Sequence, residues 1–389
     1  MVERQIIDAA ARLRRQGEPH LIATVVRVHG SAYRRPGARM LLTQFRWITG
    51  SVSGGCLEGD IAKKAWWRTE GGTPVVVTYD SRVPEDADDE DIRSAFGLGC
   101  DGVVEVMLER AGTPGRLDPL ELASECIQRQ QRGAIVTVIR SAIADIEVGT
   151  RVAVRGDAEP AADAIADPVL RAPMLADAHA AAASGESAHR TYTSEGGSID
   201  VFVEAIVPPP RVFVFGTGHD AVPVVQLARS LGWDVTVCAE HVRVATRQRF
   251  SQADEILVGA PADLAARIDA CDRAVAIVMN HDYDLDRRTT GMLLATRASY
   301  IGVLGPRART ARMLDALGQA AVEDARLHAP VGLELGAETP HEIALAIVGE
   351  VQAVLARAPA SSLRDRVGPI HDHALPRIAR EIENVSVVA

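Results

Sequence analysis

Aromatic side chains make up only 4% of this 389-residue chain, and basic residues are outnumbered by acidic ones, 42 to 52. A protein that tracks a phosphate backbone needs a basic face, and one that stacks bases needs aromatic rings. The composition therefore argues against nucleic acid as a partner. No apolar run approaches the ~20 residues of a membrane span, so none is expected. The five cysteines, at 56, 100, 126, 238 and 271, are scattered, odd in number and without a CxxC pair. That is not a secreted disulfide framework, and it fits a reducing compartment. The opening segment MVERQIIDAAARLRRQG is amphipathic, with neither an apolar h-region nor a small-residue cleavage site. A cytoplasmic location is expected.

What is present is apolar mass: 47% of the residues are hydrophobic, enough for two domains with their own cores. The stretch VPPPR at 207–211 is the clearest linker, because three prolines continue neither a helix nor a central strand. We expect domains at 1–206 and 211–389, joined by 207–210. The second half alternates apolar runs (211–216, 234–239, 255–259, 273–280 and 300–305) with helical stretches. Near-continuous apolarity suits parallel strands covered on both faces, so a doubly wound α/β sheet is predicted. Thr339, Pro340 and Glu342 form a capping box that opens a long helix. The first half is α/β of uncertain topology. Helices are expected near 2–16, 57–69 and 118–132, with a further alanine-rich helical stretch within 157–190.

The motif Gly216-x-Gly218-x-x-Ala221 lies between a strand and a helix. Gly216 permits the turn, Gly218 lets backbone approach a phosphate, and Ala221 lets the helix pack on the sheet. With free N–H groups at the helix start, this predicts a Rossmann-like domain and an anion cradle. The competing reading is that the glycines serve only the turn. The second strand ends VTVCAEH, which puts Ala239 where a ribose-binding carboxylate is usual, with Glu240 one residue later. Phosphate binding survives this shift, whereas NAD binding is not expected.

Two cysteines stand among glycines. Cys56 follows Gly54 and Gly55, and Cys100 is framed by Gly97, Gly99 and Gly102. A thiol at a helix start is biased toward thiolate, although Glu58 and Asp60 oppose that locally. Accessible thiols of this kind suit a soft metal, a persulfide or a sulfur ligand. The bland alternative, a small buried hydrophobe, is the reading for Cys126, Cys238 and Cys271.

Taken in order, the stretches GSAYRRPGARMLL, GSVSGGCLEGDI, GLGCDGVVEVMLE, VFVFGTGHDAVPVVQLARSLGW, VMNHDYDLD, YIGVLGPRAR and HAPVGLELGAETPHEIALAIVGEV cover nearly the whole length. Together they resemble the XdhC/CoxI family of molybdenum-cofactor accessory proteins, with GCDG and GHDAVP closer to its CoxI-like branch. The resemblance implies an N-terminal domain carrying the glycine-flanked cysteine and a C-terminal Rossmann domain. It implies a chaperone without turnover that binds molybdenum cofactor, as molybdopterin or its cytosine dinucleotide form. Such a chaperone protects the cofactor during sulfuration and delivers it to a molybdenum hydroxylase apoenzyme of the xanthine dehydrogenase or CO dehydrogenase type. A cysteine desulfurase and a second copy of the chain, as a homodimer, are the other partners implied. The residues expected to face the cofactor are Cys56, as molybdenum contact, with Gly54, Gly55, Glu58 and Cys100, and then Gly216, Gly218, His219 and His281. One departure is AEH at 239–241, where many relatives carry Asp-His-Arg. Two rival readings remain: an NAD(P)-dependent oxidoreductase, and a thiol redox protein pairing Cys56 with Cys100.

Smaller signals carry less. In HDYDLD the alternating Asp282, Asp284 and Asp286 begin like a calcium loop, but Arg287 and Leu293 stand at its sixth and twelfth positions. A polar loop beside a ligand fits better. Arg34 and Arg35 in RRPG suit an anion clamp or a solvated turn equally. His371 and His373 in HDH are too few for a zinc site.

Overall fold

The computed structural model describes residues 4–30, 32–80, 102–156, 158–163, 165, 167–241, 244–367 and 377–381. The chain divides into two compact units, with the boundaries at Pro208/Pro209 and Asp365/Arg366. The first unit holds two sheets. One is built from β1 (His20–Gly30), β2 (Arg39–Thr43), β3 (Trp47–Gly50), β4 (Val75–Asp80) and β5 (Gly102–Arg110), in the order β3-β2-β1-β5-β4. The strands of the other are β6 (Gly133–Ser141), β7 (Arg151–Arg155), β8 (Ala161–Ala162), β9 (Ala188–Ser194), β10 (Gly197–Ile206) and β17 (Arg377–Glu381). Their order is β17-β9-β10-β6-β7-β8. All pairs are antiparallel except β17 with β9.

An amphipathic helix, Arg4–Arg15, buries Ile6, Ile7, Ala10 and Leu13 against the helix Pro119–Gln128 and both sheets, through Ile22 and Leu41 of one and Ile135 and Ala153 of the other. Three buried ion pairs also join the two sheets. Arg39 reaches both carboxylate oxygens of Glu204 at 2.7 and 2.5 Å, Arg151 those of Glu109 at 2.7 and 2.8 Å, and Arg27 meets Asp200 at 3.1 Å. Removing one partner of such a pair costs about 3–5 kcal/mol, because the other charge is left buried alone. These pairs hold one sheet in one register against the other.

The second unit is a six-stranded parallel sheet. Its strands are β11 (Arg211–Phe215), β12 (Asp234–Ala239), β13 (Glu255–Val258), β14 (Ala274–Val278), β15 (Tyr300–Val303) and β16 (Leu327–His328), in the order β13-β12-β11-β14-β15-β16. This 3-2-1-4-5-6 arrangement puts the crossover point at β11/β14, where the carboxyl ends of both strands open a crevice. One face is covered by helices Ala221–Ser230 and Pro340–Ala356, through Val224, Ala228, Ile347 and Val351. Packed on the other are Leu264 and Ile268 of helix Pro261–Asp269 and Leu293 of helix Tyr283–Leu294. Thr339 and Glu342 form the expected capping box, with Pro340 in the first turn.

The expectation of 211–389 for the second domain is corrected at its end. Residues 377–381 pair with β9 and extend the sheet of the first unit. A short apolar and charged segment, RIARE, carries no signal of which sheet it will join.

Candidate functional site

The turn that carries Cys56 is built around a carboxylate. Helix Glu58–Arg68 starts just past the cysteine, and Glu58 is 1% exposed, folded back into the turn that precedes it. Its Oε1 accepts from the backbone N–H groups of Val52 at 3.0 Å and Ser53 at 2.8 Å, and its Oε2 from the Ser53 hydroxyl at 2.5 Å. The Ser53 Oγ in turn accepts from Gly55 N at 3.2 Å and Leu57 N at 3.1 Å, and lies 3.4 Å from Cys56 Sγ. Burial pushes the Glu58 pKa up, but the Ser53 hydroxyl and these N–H groups outweigh it, and the net shift is downward. Glu58 is thus ionised and fully engaged within the turn. It shapes the place where a ligand would meet the thiol.

Gly54 lies against the Tyr33 ring, where an added Cβ would come within 3.2 Å. Gly55 has φ +116° and open space in front of it. Arg34 of the RRPG turn donates to Ser51 O at 3.2 Å, which ties that turn to this one. The Cys56 thiol is half-buried, whereas Cys126, Cys238 and Cys271 are buried. Burial pushes the thiols of Cys126 and Cys238 up to about 11 and about 12, and that of Cys271 upward. Those three are inert packing groups. Cys100 and its flanking Gly97 and Gly99, the acidic run 85–91, and His371 and His373 lie outside the described residues.

In the second unit the glycine loop follows β11. Gly216 has φ +141°, and a Cβ there would sit 2.4 Å from the Met279 carbonyl oxygen, so the two strand ends close on each other only without a side chain. At Gly218 a Cβ would lie 2.3 Å from Asp220 Oδ1. The Asp220 carboxylate thus stands beside the Gly218 backbone, in the place a side chain there would take. Asp220 Oδ2 is 2.8 Å from His281 Nε2, and His281, in the left-handed region at φ +62°, lies just past β14. His219 is exposed at the loop tip. Arg249 donates to Thr217 O at 2.7 Å, and Glu240 Oε1 lies 3.6 Å from Arg288 Nη2.

HDYDLD opens a helix. Asp282 caps it by accepting from Leu285 N at 2.8 Å. Asp286 is fully buried, 2.6 Å from Arg309 Nη2, and takes both the backbone and side-chain N–H of Asn280. Beside His281, a cleft of about 580 Å³ opens over β14 and β15, bounded by Leu304 to Pro306, Arg309, the loop 330–337, Ile343 and Ala346. Sequence reasoning missed this cleft, although GLELGAETP, its far wall, was legible as a glycine-rich loop before a capped helix.

Residues 13–80 match the model of the XdhC and CoxI family, and residues 212–351 that of the XdhC Rossmann domain. The chain belongs to the XdhC and CoxI family. Its family is the one the motifs resemble, and the Cys56 turn and the glycine loop each fall within a matched segment. It is 28% identical over 334 residues to a probable xanthine dehydrogenase subunit of Bacillus subtilis, covering 86% of this chain and 92% of that one. To the molybdenum cofactor insertion chaperone PaoD of Escherichia coli it is 24% identical, over 90% of this chain and 88% of that one. A solved structure described as a xanthine dehydrogenase from Bacillus halodurans matches with a TM-score of 0.69 and 26% identity, over 92% of this chain and 98% of that one. For this XdhC-type chain, the doubly wound reading of the second unit and the mixed α/β fold expected from the sequence both hold.

Proposed function

We propose that this protein is an accessory factor for molybdenum-cofactor maturation in xanthine dehydrogenase-type enzymes, carrying the cofactor as cargo and handing it to the apoenzyme. Its family and its likeness to PaoD along most of both chains support the reading. The observation that carries it is the Cys56 turn: a half-exposed thiol beside an open glycine, on a loop held by Glu58 and Ser53. A pterin dithiolene brings two sulfur ligands of its own, so one further protein thiol is a fitting contact for the metal. Gly54 and Gly55 leave room for approach, while Glu58 and Ser53 fix where the sulfur stands. During sulfuration, with a cysteine desulfurase as sulfur source, the protein's part is to hold the cofactor until the client takes it.

The test is cofactor retention. Wild type, Cys56→Ala and Cys271→Ala are purified from a molybdate-fed host, and bound molybdenum and oxidised pterin are measured. Cys56→Ala should lose most of both, and Cys271→Ala, whose thiol is buried, should lose neither. Equal retention by wild type and Cys56→Ala would sink the role of this turn.

A further inference from the structure

Among the described residues the exposed aromatic side chains are Tyr33, Phe45, Trp47 and Trp67, at 64%, 88%, 49% and 72%. All four lie in the stretch 33–68 of the first unit, which also carries the Cys56 turn. That stretch holds seven basic residues and two acidic ones, in a chain whose net charge is −10. Arg39 is engaged in its buried pair with Glu204, Glu58 is buried in the turn, and Asp60 is paired with Lys64 at 2.5 Å. Arg35, Arg46 and Lys63 are exposed, so this part of an acidic chain shows the solvent rings and positive charge.

Strand register gathers three of the four rings at one end of the first sheet. Arg110, Leu21, Leu42 and Trp47 are paired in a row across β5, β1, β2 and β3. Leu42 is buried with Ile61 and Ala65 of helix Glu58–Arg68, so Trp47, opposite Leu42, stands on the face that this helix covers. Ile48 packs on the other face. Arg110 Nη2 donates to Trp66 O at 3.0 Å, and its guanidinium lies 4.6 Å from the centre of the Trp66 ring. The last turn of the helix, with Trp67, is thereby fixed at the same end as Trp47. Phe45 stands in the turn between β2 and β3, where Thr43 N donates to Arg46 O at 2.9 Å. The row spans three strand spacings, about 15 Å, so the rings fit within the ~800 Å² that a standard interface takes from each partner. Lys63, one turn before Trp67, and Arg46, 3.8 Å from Glu18, edge them with positive charge.

We propose that Phe45, Trp47 and Trp67 are the docking face for the apoenzyme that receives the cofactor, and that it meets them with an apolar surface edged by carboxylates. This occupant rests on the function proposed above, and two observations select it. The first is charge: a second copy of the chain, seated on the same patch by two-fold symmetry, would bring Arg46 and Lys63 onto a basic surface, whereas an acidic partner complements them. The second is reach. Trp67 and the Cys56 turn stand at the two ends of one 11-residue helix, ~16 Å long, so a protein held on the rings is kept at a fixed short distance from the thiol. Tryptophan is also among the side chains that most often carry the energy of a protein contact.

The experiment uses the full chain and, as probes, the xanthine dehydrogenase-type apoenzymes of the same organism, each produced without molybdate. Dissociation constants are measured for wild type, Phe45→Ala, Trp67→Ala, the double variant, Lys63→Glu, and Leu345→Ala, an exposed position on the second unit. Each aromatic truncation should weaken binding ~10-fold and the double variant ~100-fold. Lys63→Glu should weaken binding and flatten its dependence on salt, and Leu345→Ala should change neither. All variants should keep wild-type melting behaviour and retain molybdenum and pterin as wild type does, because the Cys56 turn is untouched. An unchanged dissociation constant in the double variant overturns the docking face and leaves the maturation role standing. A double variant that loses self-association and still binds the apoenzyme overturns it in favour of a second copy. Wild type that binds none of the apoenzymes also overturns the face, whereas the carrier role fails only if wild type retains no molybdenum or pterin.

Discussion

Replacing Glu58 with alanine removes the acceptor from three donors at once: the N–H groups of Val52 and Ser53 and the Ser53 hydroxyl. Each hydrogen bond to a charged group contributes about 1.5–3 kcal/mol, and the three share one side chain, so about 3–5 kcal/mol is expected for the set. That is a large part of the 5–15 kcal/mol that separates folded from unfolded chains, and about 2 M in urea midpoint at an ordinary slope. Glu58→Gln keeps one carbonyl oxygen for the two N–H groups and should cost only about 1 kcal/mol at neutral pH. Because the folded pKa of Glu58 lies below its ordinary 4.5, its contribution is complete above that value and is lost as pH falls through the folded pKa. The gap between wild type and Glu58→Gln should therefore close on acidification from pH 7 to below 4. Urea unfolding followed by tryptophan fluorescence reads this directly, since Trp66 and Trp67 lie on the helix that Glu58 begins. The Cys56 thiol should also react faster with an aromatic disulfide once its turn is loosened. A Glu58→Ala midpoint within error of wild type, or a gap that widens in acid, would refute the reasoning.

Gly216→Ala should destabilise the second unit by about 3 kcal/mol or more, because its Cβ meets a backbone carbonyl that has nowhere to move; calorimetric unfolding checks it. His189, buried on β9 and bonded to Val26 O at 2.6 Å, has its pKa pushed down to about 4 by burial. Its unfolded value is higher, so stability should fall as pH drops from about 6.5 toward 4, by at most about 3 kcal/mol. His189→Gln should flatten that part of the pH profile in urea titrations.

The second unit was legible because its signals are local. Continuous apolar runs declare buried parallel strands, and Gly216, Gly218, Thr339 and Glu342 mark turns and caps within a few residues of themselves. In the first unit the helices near 4–15, 58–68 and 119–128 were also readable. Its sheet order was not, because pairings such as β1 with β5 and β10 with β6 join distant segments through nonlocal contacts. The roles of Glu58 and Asp220 were hidden for a related reason. Sequence shows a carboxylate near a thiol or a glycine, but only the fold shows one turned inward and the other turned onto Gly218. The cleft needed β15, the loop 330–337 and the capped helix to converge, and no single stretch encodes that.

The return of β17 to β9 makes the Rossmann unit an insertion in chain topology rather than an appended tail. Both of its ends lead back into the same partner. A single cut in the proline linker therefore would not yield two self-sufficient pieces. It would deprive the first unit of an edge strand and leave β9 as an open template for pairing with other chains. Exchange of the unit between relatives must preserve two junctions at once. A swap joined only at the proline segment would carry the wrong last strand into the other unit's sheet.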